Sequence, residues 1–79
     1  MRLDKYLKVS RIIKRRTVAN DACDAKHVMV NGKAARASYD VKVGDIIEIT
    51  FGANTSRFEV LSVSEHATKE TAATMFKPL

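Results

Sequence analysis

Ala22-Cys23-Asp24-Ala25-Lys26-His27-Val28-Met29-Val30-Asn31-Gly32-Lys33-Ala34-Ala35 holds the change of period that decides the fold. Up to Ala25 the small apolar residues recur at helical spacing; from Val28 they alternate, with Val28 and Val30 on either side of Met29. Asn31-Gly32 then supplies two residues that readily take positive φ in succession, the mark of a tight two-residue hairpin. A helix therefore runs directly into a β-hairpin.

Working upstream, residues 2–9 read as a short helix. Leu3, Tyr6, Leu7 and Ser10 fall at i, i+3, i+4 and i+7, which leaves Lys5 and Lys8 outward. Ser10-Arg11 breaks the pattern, and Ile12 and Ile13 tuck beneath the connection. A second helix is expected from about Lys14 to Ala25, with Val18, Ala22 and Ala25 as its buried stripe and Ala19 and Cys23 beside it. Its charge order opposes its own dipole. Lys14, Arg15 and Arg16 crowd the N-terminal turn, where the backbone already presents about half a positive charge, and Asp21 and Asp24 lie further along. Folding alone favours acids at that end. Cations beside bare backbone N–H groups instead suit an anion, and Arg11 adds a fourth just upstream.

Working downstream, residues 38–44 form a polar connection that closes in Val43-Gly44-Asp45. Ile46, Ile47, Ile49 and Phe51 mark a strand, Gly52-Ala53-Asn54-Thr55 a turn, and Arg57 to Val63 a closing strand. The expected fold is α+β, two N-terminal helices packed on a small antiparallel sheet of three to five strands, in a single domain. Residues 1–63 make up that domain, and residues 64–79 read as a polar, mobile C-terminal tail with a third helix possible over Thr68–Met75.

With 79 residues there is room for one small domain and none for a separate catalytic one. A chain of this length buries only about 60% of its unfolded surface, so its stability is modest. The single cysteine, Cys23, excludes an internal disulfide and a cysteine-based zinc site, and its alanine neighbours make it a small buried residue. The five aromatics (Tyr6, Tyr39, Phe51, Phe58, Phe76) are too scattered to form a stacking platform for single-stranded bases. No apolar run approaches a membrane span, and Met-Arg-Leu-Asp-Lys is no signal peptide, so the expectation is a cytoplasmic protein without membrane contact.

Charge separates the two halves. Residues 1–36 hold ten Lys/Arg against three acids, a net of +7; residues 37–79 hold four against six, a net of −2. Such one-sidedness suits a face that docks on phosphates, where each cation releases condensed counterions.

The residues in this order resemble a known RNA-binding unit, the S-four domain or alpha-L RNA-binding motif. The resemblance rests on Arg2-Leu3-Asp4-Lys5-Tyr6-Leu7, Ser10-Arg11, Lys14-Arg15-Arg16-Thr17, Ala22, Val28-Met29-Val30-Asn31-Gly32-Lys33 and Val41-Lys42-Val43-Gly44-Asp45. It extends over residues 2–49 and is similar above all to the stand-alone bacterial members that work in ribosome quality control, and more distantly to the heat-shock-fifteen members. It implies a non-catalytic, monomeric RNA binder without cofactor or metal. Its expected partners are ribosomal RNA of the large subunit, peptidyl-tRNA and an RqcH-like factor that adds a C-terminal alanine tail to stalled chains. The RNA contacts it implies are Arg2, Arg11, Lys14, Arg15, Arg16, Asn31 and Lys33. Lys5, Lys8 and Lys26 are lesser candidates. Asp4 is expected to orient Arg2 or Arg16 or to touch a partner, and Asn31 equally fits as the residue a type I′ turn needs. Lys26-His27 departs from the family, which commonly has glycine at that handover.

Two other classes stay open on residues alone. A helix-turn-helix DNA binder fits two short helices loosely, though Asn20 and Asp24 are poor base readers. An RNA-binding accessory of a modifying or assembly factor would use the same surface. An enzyme finds little support, since His27, His66 and Cys23 show neither ligand spacing nor a partner carboxylate.

Overall fold

In the computed structural model, which describes residues 1–79, the chain forms α1 (Leu3–Val9), α2 (Arg16–Asp24), β1 (Val28–Val30), β2 (Lys33–Ala34), β3 (Ile46–Phe51), β4 (Asn54–Val60), α3 (Lys69–Ala72) and β5 (Phe76–Pro78). The strands make one antiparallel sheet in the order β2-β1-β3-β4-β5. Asn31 (φ 53°) and Gly32 (φ 82°) turn β1 into β2 as the sequence predicts. The register pairs Val28 with Ile49 and Val30 with Ile47, so four β-branched side chains share one face. All four are buried beneath Leu3, Tyr6 and Leu7 of α1 and Ala19, Ala22 and Cys23 of α2. The other sheet face carries Glu48 opposite Arg57 and Glu59 opposite Lys77.

Three expectations are corrected. The buried stripe of α2 is Ala19, Ala22 and Cys23; Val18 is exposed at 43%, and Ala25 is exposed too. The smallest side chains face α1 because α1 contributes its largest, Leu3, Tyr6 and Leu7, and large must meet small for two helices to approach closely. The fourth strand begins at Asn54 and ends at Val60, since the turn needs only Gly52 and Ala53. Finally, residues 64–79 fold back onto the domain, and α3 lies within the Thr68–Met75 span where the sequence allows a third helix. Thr68 caps α3 through a reciprocal pair with Thr71, and β5 lies along β4 with Phe76 edge-on to Phe58. Met75 is fully buried, and its carbonyl accepts the Tyr6 hydroxyl at 2.8 Å. Alternation and helical periodicity are both short in this segment, and its apolar anchors, Ala72, Met75 and Phe76, are few.

Both principal helices end on a cation in the left-handed region, Arg11 (φ 64°) after α1 and Lys26 (φ 62°) after α2. At Lys26 the cap is complete: its N–H bonds the Cys23 carbonyl at 3.0 Å and the His27 N–H bonds that of Ala22 at 2.9 Å. A lysine holds this conformation at a cost of about 1 kcal/mol relative to glycine. Lys26→Gly is therefore expected to stabilise the fold by up to about 1 kcal/mol in urea unfolding. A destabilised variant would mean that the lysine side chain makes a contact worth more than the strain.

Candidate nucleic-acid interface

The site is built around a buried carboxylate. Asp4 is 2% exposed in the first turn of α1. It accepts from Arg2 (Nε to Oδ1, 3.1 Å; NH2 to Oδ2, 3.3 Å), from Asn20 Nδ2 (3.3 Å), from Arg16 Nε (3.5 Å) and from the Lys5 backbone N–H (2.8 Å). Burial pushes this carboxyl up, but the hydrogen bonds and the Arg16 charge outweigh it and hold the pKa at about 2. The same pairing raises Arg2 above its ordinary value. One anion thus fixes two guanidiniums, and each remains about half exposed, at 50% and 49% of the side chain. A buried charge left alone would be costly; here it is satisfied from four sides.

Beside this cluster lies the start of α2. Arg15 stands at the N-cap in an extended conformation, makes no side-chain cap, and no acid occupies the first turn. The first backbone N–H groups of the helix are left without side-chain partners. Lys14 and Arg15 are exposed and form no ion pair. Arg2 and Arg16, joined through Asp4, therefore flank an uncapped helix end that already favours an anion.

The hairpin carries a further cation. The Asn31 carboxamide is taken up by the fold: Oδ1 accepts the Ile46 N–H at 3.0 Å and Nδ2 donates to Asp45 at 3.0 Å. Asp45 also accepts from the Tyr39 hydroxyl (2.9 Å) and the Lys42 N–H (3.0 Å), and despite burial these partners hold its carboxyl below the usual range. Asn31 shapes the turn that carries Lys33. The strand-like segment after the hairpin returns to the first residues: Leu3 N–H bonds the Tyr39 carbonyl at 2.8 Å, Asp4 N–H that of Ala37 at 3.2 Å, and the N-terminal amine pairs with Asp40 at 2.7 Å.

Arg11 is placed apart. It lies with Lys8 in a concavity of about 490 Å³ between the end of α1 and residues Glu65–Thr68 and Thr71. Two residues join the site without a motif to mark them, Asn20, which donates to Asp4, and Arg36, which borders two concavities around the hairpin. In the sequence Asn20 stands only as a poor DNA reader, and Arg36 only as one more positive charge. Of the ten cations in residues 1–36, just Arg2, Lys5 and Arg16 have a carboxylate within ion-pair distance. Unpaired cations of this density are unusual for a surface selected for stability alone. The thiol of Cys23 is buried and pushed up to about 11, which makes it a poor nucleophile. No helix is long and apolar enough to cross a membrane.

The S4 domain family matches residues 1–47. The RQC P-site tRNA stabilizing factor of Streptococcus pneumoniae is 52% identical over 77 residues, covering 98% of this chain and 88% of that protein. The factor of the same name from Bacillus subtilis is 46% identical over 76 residues, covering 96% and 88%. Among solved structures, the trimeric heat shock protein 15 of Vibrio cholerae superposes with a TM-score of 0.90 at 25% identity, over 100% of this chain and 81% of that one.

Proposed function

The chain belongs to the S4 domain family, and from that premise we propose that it binds RNA on the ribosome, where it steadies a P-site tRNA during quality control of stalled nascent chains. Within that role it docks on a large subunit that still carries peptidyl-tRNA, touches ribosomal RNA and tRNA phosphates, and assists an RqcH-like factor in C-terminal alanine tailing. It acts without catalysis, by holding.

The observation that carries this reading is the pair Arg2 and Arg16 clamped on buried Asp4 beside the uncapped start of α2. Guanidiniums fixed in advance lose little side-chain entropy when a phosphate arrives, and each can present two donors to it. Unpaired Lys14, Arg15 and Lys33 extend the positive field on either side. Charge and shape recognition of this kind suits folded RNA. The helix-turn-helix alternative is disfavoured by α2 itself, whose exposed residues include Asp21 and Asp24, acids that would face DNA phosphates.

Sedimentation tests the reading. In a sucrose gradient the protein should co-migrate with free large subunits, more strongly when peptidyl-tRNA is retained, and should be released as salt rises. Migration at the top of the gradient at both low and high salt would overturn it.

A further inference from the structure

Beside the hairpin lies an open concavity of about 580 Å³ that shares Lys33 with the phosphate-docking face but is otherwise distinct from it. Val30, Ala34, Ala35 and Tyr39 supply its apolar lining, and Asn31, Lys33, Arg36 and Ser38 its polar groups. The Tyr39 hydroxyl is bound to Asp45 at 2.9 Å, so the ring is held in one orientation. Arg36 and Ser38 belong to one tight turn, closed by the Tyr39 N–H on the Arg36 carbonyl (3.0 Å), and both line the concavity. Neither Lys33 nor Arg36 has an acidic partner, and Ser38 Oγ makes no hydrogen bond within the protein.

An apolar wall with an aromatic ring, two unpaired cations and a free hydroxyl is a lining for a ligand that is flat and apolar at one end and anionic at the other. The volume falls within the range of small-ligand pockets, about 300–1,000 Å³. Bases stacked in a continuous helix cannot enter such a hollow, whereas an unpaired base can leave the stack and lie on an aromatic side chain. Resting on the RNA-binding reading above, we propose that this concavity receives a single extrahelical nucleotide of the bound RNA. Its base lies against Tyr39 and Ala34, Lys33 and Arg36 hold its phosphate, and Ser38 meets the sugar or the base edge. The protein then selects RNA by a bulge as well as by charge.

Fluorescence anisotropy on two labelled RNA stem-loops, identical except for one bulged nucleotide in the stem, tests this. The wild-type protein should prefer the bulged RNA by roughly tenfold, the lower range of what stacking one base contributes. Ser38→Leu and, separately, Ala34→Leu fill the hollow from two sides and should erase that preference while leaving affinity for the paired RNA unchanged. Equal wild-type affinity for the two RNAs would overturn the proposal, as would a preference that survives both substitutions. Adenosine monophosphate should not displace the bulged RNA; displacement would assign the hollow to a free nucleotide and overturn the extrahelical assignment. Failure to bind either RNA would instead overturn the RNA-binding reading from which the proposal starts.

Discussion

Replacing Arg15 and Arg16 together by glutamate should lower affinity for large ribosomal subunits by about a hundredfold or more. Each reversal removes a charge-assisted bond to a phosphate and puts a repulsion in its place, and two such changes amount to about 3 kcal/mol. The dependence of log affinity on log salt should flatten by about two, because two counterion-releasing contacts are gone. Arg15 stands at the N-cap without any hydrogen bond that caps the helix, and Asp4 keeps Arg2 and Asn20 when Arg16 is lost. The fold should therefore persist, with a melting temperature a few degrees lower because a second carboxylate, introduced in place of Arg16, repels Asp4. Binding retained at wild-type strength and slope would remove this face from the interface.

Asp4→Asn should act on the fold as much as on binding. A carboxyl held at about 2 in the native state, against an ordinary 3.8, contributes about 2 kcal/mol of stability once the pH is above the ordinary value. The sign follows from the lowered pKa: the contribution is present at neutral pH and is lost as the pH falls from about 4 toward about 2. In the amide, one of the two oxygens that accept from Arg2, Asn20 and Arg16 becomes a donor facing donors. Thermal melts at pH 7 should show a deficit of about 10 °C, shrinking as both proteins are taken below pH 3. A deficit that does not change with pH would locate the effect in packing instead. Binding should weaken several-fold with an unchanged salt slope, since the cations remain but are no longer held in place. That separates the orienting carboxylate from the residues that touch phosphate.

The hairpin and the charge division could be read from residues alone because both are local. Asn31-Gly32 determines its own turn, and a cation near a helix start is visible without coordinates. The burial of Asp4 could not be read, since an acid in a first helical turn looks like an ordinary dipole partner until Asn20 and Arg16 are seen to converge on it. Asn31 had two readings in the sequence, and its bonds to Ile46 and Asp45, fourteen or more residues away, favour the structural one. The phase of α2 is not legible from hydrophobicity, because valine outranks alanine as an apolar residue and points to Val18. Packing against Tyr6 and Leu7 instead selected the smaller side chains. In the C-terminal segment a helix is legible but its docking onto the domain is not. Its contacts join Tyr6 to Met75 across 69 residues, and no local pattern encodes a bond of that span.

The ends of the sheet have a consequence for what the protein does at high concentration. Its two outermost strands are β2, only two residues long and bearing Lys33, and β5, which ends in Pro78. A short charged border offers little length for a second chain to zip onto, and a proline has no N–H with which to continue a ladder. Both borders therefore offer little for another strand to pair with, and concentrated solutions of the protein are expected to stay free of strand-mediated fibres.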